Sequence, residues 1–183
     1  NMEATANAYL TTAKTLDLAV MSNYGLDQAD QKELEQIEGA EVEFGYLTDV
    51  TMDNGQDAIR LYSKPERIST FQLREGRLPQ SDQEIALASH LQGQYSVGQE
   101  ISFKEKEGGH SSLKDNTFTI TGFVDSAEIL SQRDMGYAGS GSGTLTAYGV
   151  ILPSQFDQKV YNIARLKYQD LAGLNAFSVA YEE

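Results

Sequence analysis

An α+β fold is what the sequence predicts: a strand-helix-strand subdomain built from both chain ends, with a β-rich subdomain inserted into it. Three observations predict it. Asp27, Asp30, Leu34 and Ile37 have the spacing of a capped helix with one apolar face, and they lie between strand-like segments at Leu16–Ser22 and Val42–Tyr46. The middle of the chain reads as strand after strand. Near the C-terminus a strand pattern, Asn162–Lys167, is followed by Asp170 as a cap for a helix carrying Leu171, Leu174, Phe177 and Ser178. The boundaries implied are 16–60 plus 148–183 for the mixed α/β part, 61–147 for the insertion, and 1–15 as a lead-in.

Residues 2–15 are rich in Ala and Thr and read as a helical or frayed lead-in from a membrane helix that lies outside the sequence. Leu16–Ser22 is a short apolar strand, turned at Asn23-Tyr24-Gly25. Asp27 caps the helix, with Asp30 in the capping-box position and Gly39 placed to end it. Val42, Phe44 and Tyr46 alternate with Glu41, Glu43 and Gly45, the period of a strand with one buried face. That strand runs towards Met52, where Asp53-Asn54-Gly55 signals a hairpin returning through Ala58–Ser63 to Pro65.

Three strands follow, at Ile68–Arg74, Glu84–Leu87 and Glu100–Lys104, separated by a Gly/Pro turn and a polar turn at 96–99. Residues 104–115 read as a long hairpin tip containing Gly108-Gly109. Thr117–Val124 is the strongest strand pattern, and Gly122 inside it signals a bulge or a close backbone approach. A Gly/Ser-rich surface loop spans 131–143, a strand spans Leu145–Leu152 up to Pro153, and 154–159 is a short helix or turn.

Composition narrows the function classes. Ten Tyr and seven Phe exclude wholesale disorder. The net charge of −13 is concentrated: between Asp27 and Asp57 ten acids face one base, Lys32. Such a surface repels phosphate backbones, which argues against nucleic acid and towards a cationic peptide or basic partner. The absence of cysteine removes disulfides, thiolate zinc ligands and thiol nucleophiles, and fits an exported bacterial protein, especially a Gram-positive one. No stretch approaches the ~20 apolar residues of a membrane helix. Asn1 ahead of Met2, and an end at Glu183 without a stop signal, suggest a piece cut from a longer chain with flanking membrane segments.

Each candidate site has a bland competitor. Gly139–Thr144 has the bare amides of a phosphate loop, but Leu145 stands where the Walker pattern continues with Lys and Ser or Thr, and Gly141 occupies the Ser position of a nucleophile elbow. Asp49, Asp53, Asn54 and Asp57 suggest calcium, yet Val50 and Leu61 fill two ligand positions of the EF-hand loop. His90 and His110 lack the spaced carboxylates of a metal or catalytic set, so no catalytic, metal or cofactor residues are assigned. Arg77, between Gly76 and Pro79, is either a clasp onto a carboxylate such as Glu84 or a contact on a partner or membrane-proximal surface. Tyr137, Tyr148, Tyr161 and Tyr168, with Tyr24 and Tyr46 earlier, are interface anchors or half-buried edge-strand residues; Tyr137 and Tyr148 are the candidates for a partner surface.

The run Glu75-Gly76-Arg77-Leu78-Pro79, then Glu84-Ile85-Ala86-Leu87, then Val97-Gly98-Gln99, resembles the core of the extracytoplasmic domain of FtsX/MacB-like ABC transporter permeases. On that resemblance Gly76, Arg77, Pro79, Glu84 and Gly98 are the structural motif residues. It implies a non-enzymatic domain on the extracytoplasmic side of the cell membrane, without a cofactor. It further implies a cytoplasmic ATPase, a second permease subunit or half, and transmission of ATP-driven helix motion to an external substrate or partner. The alternative class is a free-standing surface binding or adhesion module. A secreted hydrolase would need a convergent His and carboxylate cleft that two histidines do not announce.

Overall fold

The computed structural model describes residues 6–9, 17–22, 25–52, 57–68, 71–104, 112–126 and 145–168. Eleven strands run through them: β1 (Ala6–Tyr9), β2 (Asp17–Ser22), β3 (Ala40–Gly45), β4 (Leu47–Met52), β5 (Ala58–Ser63), β6 (Phe71–Gly76), β7 (Glu84–Ala88), β8 (Glu100–Lys104), β9 (Thr117–Ser126), β10 (Leu145–Ile151) and β11 (Ile163–Tyr168). The α-helix of the described residues, α1 (Gln28–Glu35), has eight residues.

This overturns the α+β expectation: the fold is β-rich. The lead-in, read as helical or frayed, is not an α-helix where it is described. Ala6–Tyr9 in the lead-in is extended, because it pairs antiparallel with β2, and tertiary pairing outweighs the helix propensity of Ala. The short helix or turn read after Pro153 is a three-residue 3-10 turn, Pro153–Gln155. The predicted helix from Asp170 and the hairpin signals at 53–55 and 105–111 lie outside the described residues.

The chain divides into two compact units: the described residues within Asn1–Tyr46, Pro65–Thr70 and Lys159–Glu183, and those within Leu47–Lys64 and Phe71–Gln158. The first holds an antiparallel sheet ordered β1-β2-β11-β3. Alternation along its strands puts Val20, Ala164, Leu166, Val42 and Phe44 on one face, where Leu26 and Leu34 pack against them. The helix forms where the sequence predicts it. The Asp27 side chain accepts from the Asp30 N–H (2.8 Å), and the Asp30 side chain accepts from the Asp27 N–H (3.1 Å).

The second unit contains strands placed by the sequence in the part built from the chain ends: β4, β5 and β10 hydrogen-bond here. Its sheet runs β6-β9-β7-β10-β5-β4-β8, and β8 pairs again with β9. Six strands (β4, β5, β10, β7, β9 and β8) therefore close into a barrel, with β6 added on β9. Two of its pairs, β5 with β10 and β7 with β9, are parallel.

The barrel is filled rather than hollow. Cross-strand register places Ile59, Leu61, Ile85, Leu87 and Ala147 on one face, and each is fully buried. A Cβ on Gly149 would meet Ile85 Cδ1 at 3.0 Å and Leu61 Cδ2 at 3.1 Å. Phe103 and Phe118 close the packing between β8 and β9, with ring centroids 5.9 Å apart.

Candidate functional site

The motif residues converge on one stretch of β9, Thr119–Gly122. Strand β6 ends at Gly76 with φ +70°, and a Cβ there would stand 2.1 Å from the Thr121 carbonyl oxygen. Only glycine fits both the left-handed backbone and the contact. Its register partner is Gly122, where a Cβ would lie 2.5 Å from the Arg77 carbonyl oxygen and 2.6 Å from that of Glu75. This is the close approach signalled by a glycine inside the strongest strand. The Arg77 N–H donates to Thr121 O, and the Thr121 hydroxyl donates back to Arg77 O, both at 2.9 Å. On the next turn Gly98, at φ +95°, donates its N–H to Ile120 O at 2.7 Å.

Beyond Gly76 the chain is held by an ion pair. Arg77 Nη1 and Nη2 donate to Glu84 Oε1 and Oε2 at 2.8 and 2.7 Å, a two-pronged pairing that only a guanidinium offers. Glu84 Oε1 also accepts the N–H groups of Gln80 (2.8 Å) and Ser81 (3.2 Å), while Pro79 is buried. The Arg77 guanidinium and these N–H groups hold the Glu84 carboxyl down at about 2. A group ionised at all ordinary pH, with its oxygens committed, is a clasp and not a proton carrier. Both terminal nitrogens of Arg77 are engaged by Glu84, so the clasp reading of Arg77 is the one the geometry realises.

Tyr148, a candidate for a partner surface, is corrected to a core residue. It is 4% exposed, donates its hydroxyl to Val124 O (3.2 Å) and packs beside Phe71 on the outer face of the barrel. Burial pushes its phenol up to about 12. Tyr137, His110 and the Gly/Ser loop lie outside the described residues. Tyr46 and Tyr161 pair with centroids 5.0 Å apart, and Tyr161 also stacks on Phe44.

Asp49 does not face a cation of solution. It forms a two-pronged ion pair with its cross-strand neighbour Arg60, at 2.8 and 3.1 Å. Among the described residues no three acidic or imidazole groups converge as metal ligands. Ser89, His90 and Asp125 lie near one another without the Ser–His hydrogen bond of a nucleophile–base pair. The Ser89 hydroxyl donates directly to Asp125, which also takes Arg74, and His90 Nε2 sits 2.8 Å from Thr146 O.

Two polar features have no local signal in the sequence. Gln155 is fully buried; its amide bonds to Asp82 O and to Asp115 Oδ2, and its Oε1 accepts the Asp115 N–H at 2.7 Å. Glu43 on β3 accepts three successive backbone N–H groups, those of Glu66, Arg67 and Ile68. Both sets of partners are remote in sequence, so neither spacing nor pattern reveals them.

Comparison with known proteins returned no matching protein-family model, no matching curated protein and no matching solved structure.

Proposed function

We propose that this chain is the extracytoplasmic domain of an FtsX/MacB-like ABC transporter permease, located at the outer side of the cell membrane. It acts mechanically, passing motion of flanking membrane helices to an external substrate or partner. A cytoplasmic ATPase drives it, and a second permease subunit or half works alongside it. The acidic Asp27–Asp57 segment suits a cationic external partner.

One observation carries this reading beyond the sequence motif. The first and last described strands belong to one sheet, and β2 begins where β11 ends, Asp17 opposite Lys167. The barrel strands all lie within the excursion between them. Displacing one flank against the other therefore loads this sheet, through the β1–β2 and β2–β11 ladders. The β-rich content differs from the expected mixed fold and leaves this connectivity intact.

The test uses the full-length protein in its native cells. Alkaline carbonate should leave it in the membrane, external protease on intact cells should cut this region, and an ATP-hydrolysing subunit should co-purify. Release by carbonate with no ATPase would overturn the proposal and favour the free-standing surface module.

A further inference from the structure

The segment Pro65–Ile68, between β5 and β6, belongs to no strand or helix, and three of its backbone N–H groups converge on one side chain. The Glu43 carboxylate accepts from Glu66 at 2.7 Å, Arg67 at 3.0 Å and Ile68 at 2.7 Å. Successive N–H groups aimed at one point form a concave anion seat of the kind that holds phosphates. Here the seat is filled by a carboxylate of the same chain. Arg67 Nη2 adds a bond to Val42 O at 3.1 Å, and Ile68 is 2% exposed.

We propose that Pro65–Ile68 is a charge-dependent strap, fastened to β3 while Glu43 is ionised and released when that charge is removed. The reason is donor and acceptor arithmetic. Three N–H donors need a group that only accepts; a protonated acid or a Gln presents a donor of its own among them. Hydrogen bonds to a charged partner are also the stronger kind.

The charges around Glu43 support the ionised state. From β11, Arg165 lies directly opposite in register, and Lys167 is the next residue of that strand on the same face, opposite Glu41 of β3. The strap itself brings Arg67 and Glu66. Helix α1 packs against the other face of the sheet, through Val42 and Phe44, so its acids do not face Glu43. Burial pushes the Glu43 carboxyl up, but the three N–H groups and Arg165 outweigh it and the net direction is down. A lowered folded value means that the fastening is complete above the ordinary carboxylate range and is lost as pH falls through the lowered value.

The proposal does not depend on the transport reading. The test is residue-resolved amide exchange by NMR on this chain and on Glu43→Gln, with Glu41→Gln as the control. Glu43→Gln should speed exchange at residues 66, 67 and 68 by about tenfold or more while β2, β3 and β11 stay protected; Glu41→Gln should leave all three unchanged. Unchanged protection at 66–68 in Glu43→Gln would overturn the proposal. So would loss of protection through the whole sheet, because Glu43 would then be a staple of the fold. A second measurement needs no variant: on acidification of the wild type, the three amide shifts should move with the Glu43 carboxyl at one midpoint. Separate midpoints would overturn it equally.

Discussion

Glu84 and Glu43 solve the same problem in different ways. Each gathers backbone N–H groups from an irregular segment, and each stands near an arginine. Glu84 does so across the rim of the barrel, with partners three, four and seven residues away. Glu43 reaches 23 to 25 residues to the strap. The first is a local closure that shapes a turn, whereas the second fixes a segment whose position depends on a sheet it does not join. Local closures add little loop entropy to what folding must overcome, while a long closure must be offset by stronger contacts. The Glu43 seat, with three backbone donors on one carboxylate, supplies them.

The comparison is broken most severely at the glycines beneath the clasp. Gly76→Ala, at φ +70° with a Cβ 2.1 Å from the Thr121 oxygen, should cost about 3 kcal/mol or more in urea unfolding. Gly98→Ala, at φ +95° with nothing within 4 Å, should cost about 1 kcal/mol. Equal losses would mean that backbone conformation alone, and not the close approach to β9, sets the clasp.

A middle-sized effect belongs to Thr121→Val. It removes the buried hydroxyl that bonds Arg77 O at 2.9 Å while keeping the shape, and should cost about 1 kcal/mol. No loss would separate the turn from the strand beneath it.

The smallest effect is expected at the exposed ion pair itself. Glu84→Gln should shift Tm by about 2 °C or less at neutral pH. Its signature is pH dependence. The Glu84 carboxyl is held near 2 against an ordinary 4.5, so it stabilises above that ordinary value and the gain fades as pH falls from 4.5 towards 2. The variant should flatten that acid limb. An unchanged limb would assign it to other carboxylates, Glu43 among them.

What was legible in the sequence divides along the same line. The Asp27–Asp30 capping box, the strand alternation and the pairing of Arg77 with Glu84 are all carried by residues within a few positions of one another. Pattern reasoning reaches these because the causes are local. The barrel is not local: β5 lies beside β10 and β4 beside β8, and no periodicity states which strands meet. The α+β expectation fails for that reason, since Ala6–Tyr9 within the Ala-containing lead-in is a strand only because β2 offers an edge. From sequence Tyr148 is a partner-surface candidate because tyrosines near loops are common interface anchors, and alternation alone does not show that both faces of β10 are covered.

The closure of the barrel has a consequence for how the chain comes into being. β4 finds β5 as its sequence neighbour, but the second edge of β5 is completed only by β10, made long after it. Until then Ile59 and Leu61, fully buried at the end, line an open and sticky edge. Parallel pairing of distant strands is slow. A chain synthesised from its N-terminus must therefore carry an unfinished sheet from the emergence of β5 until that of β10. Chaperone dependence or aggregation during production would trace to that interval rather than to any weakness of the finished fold.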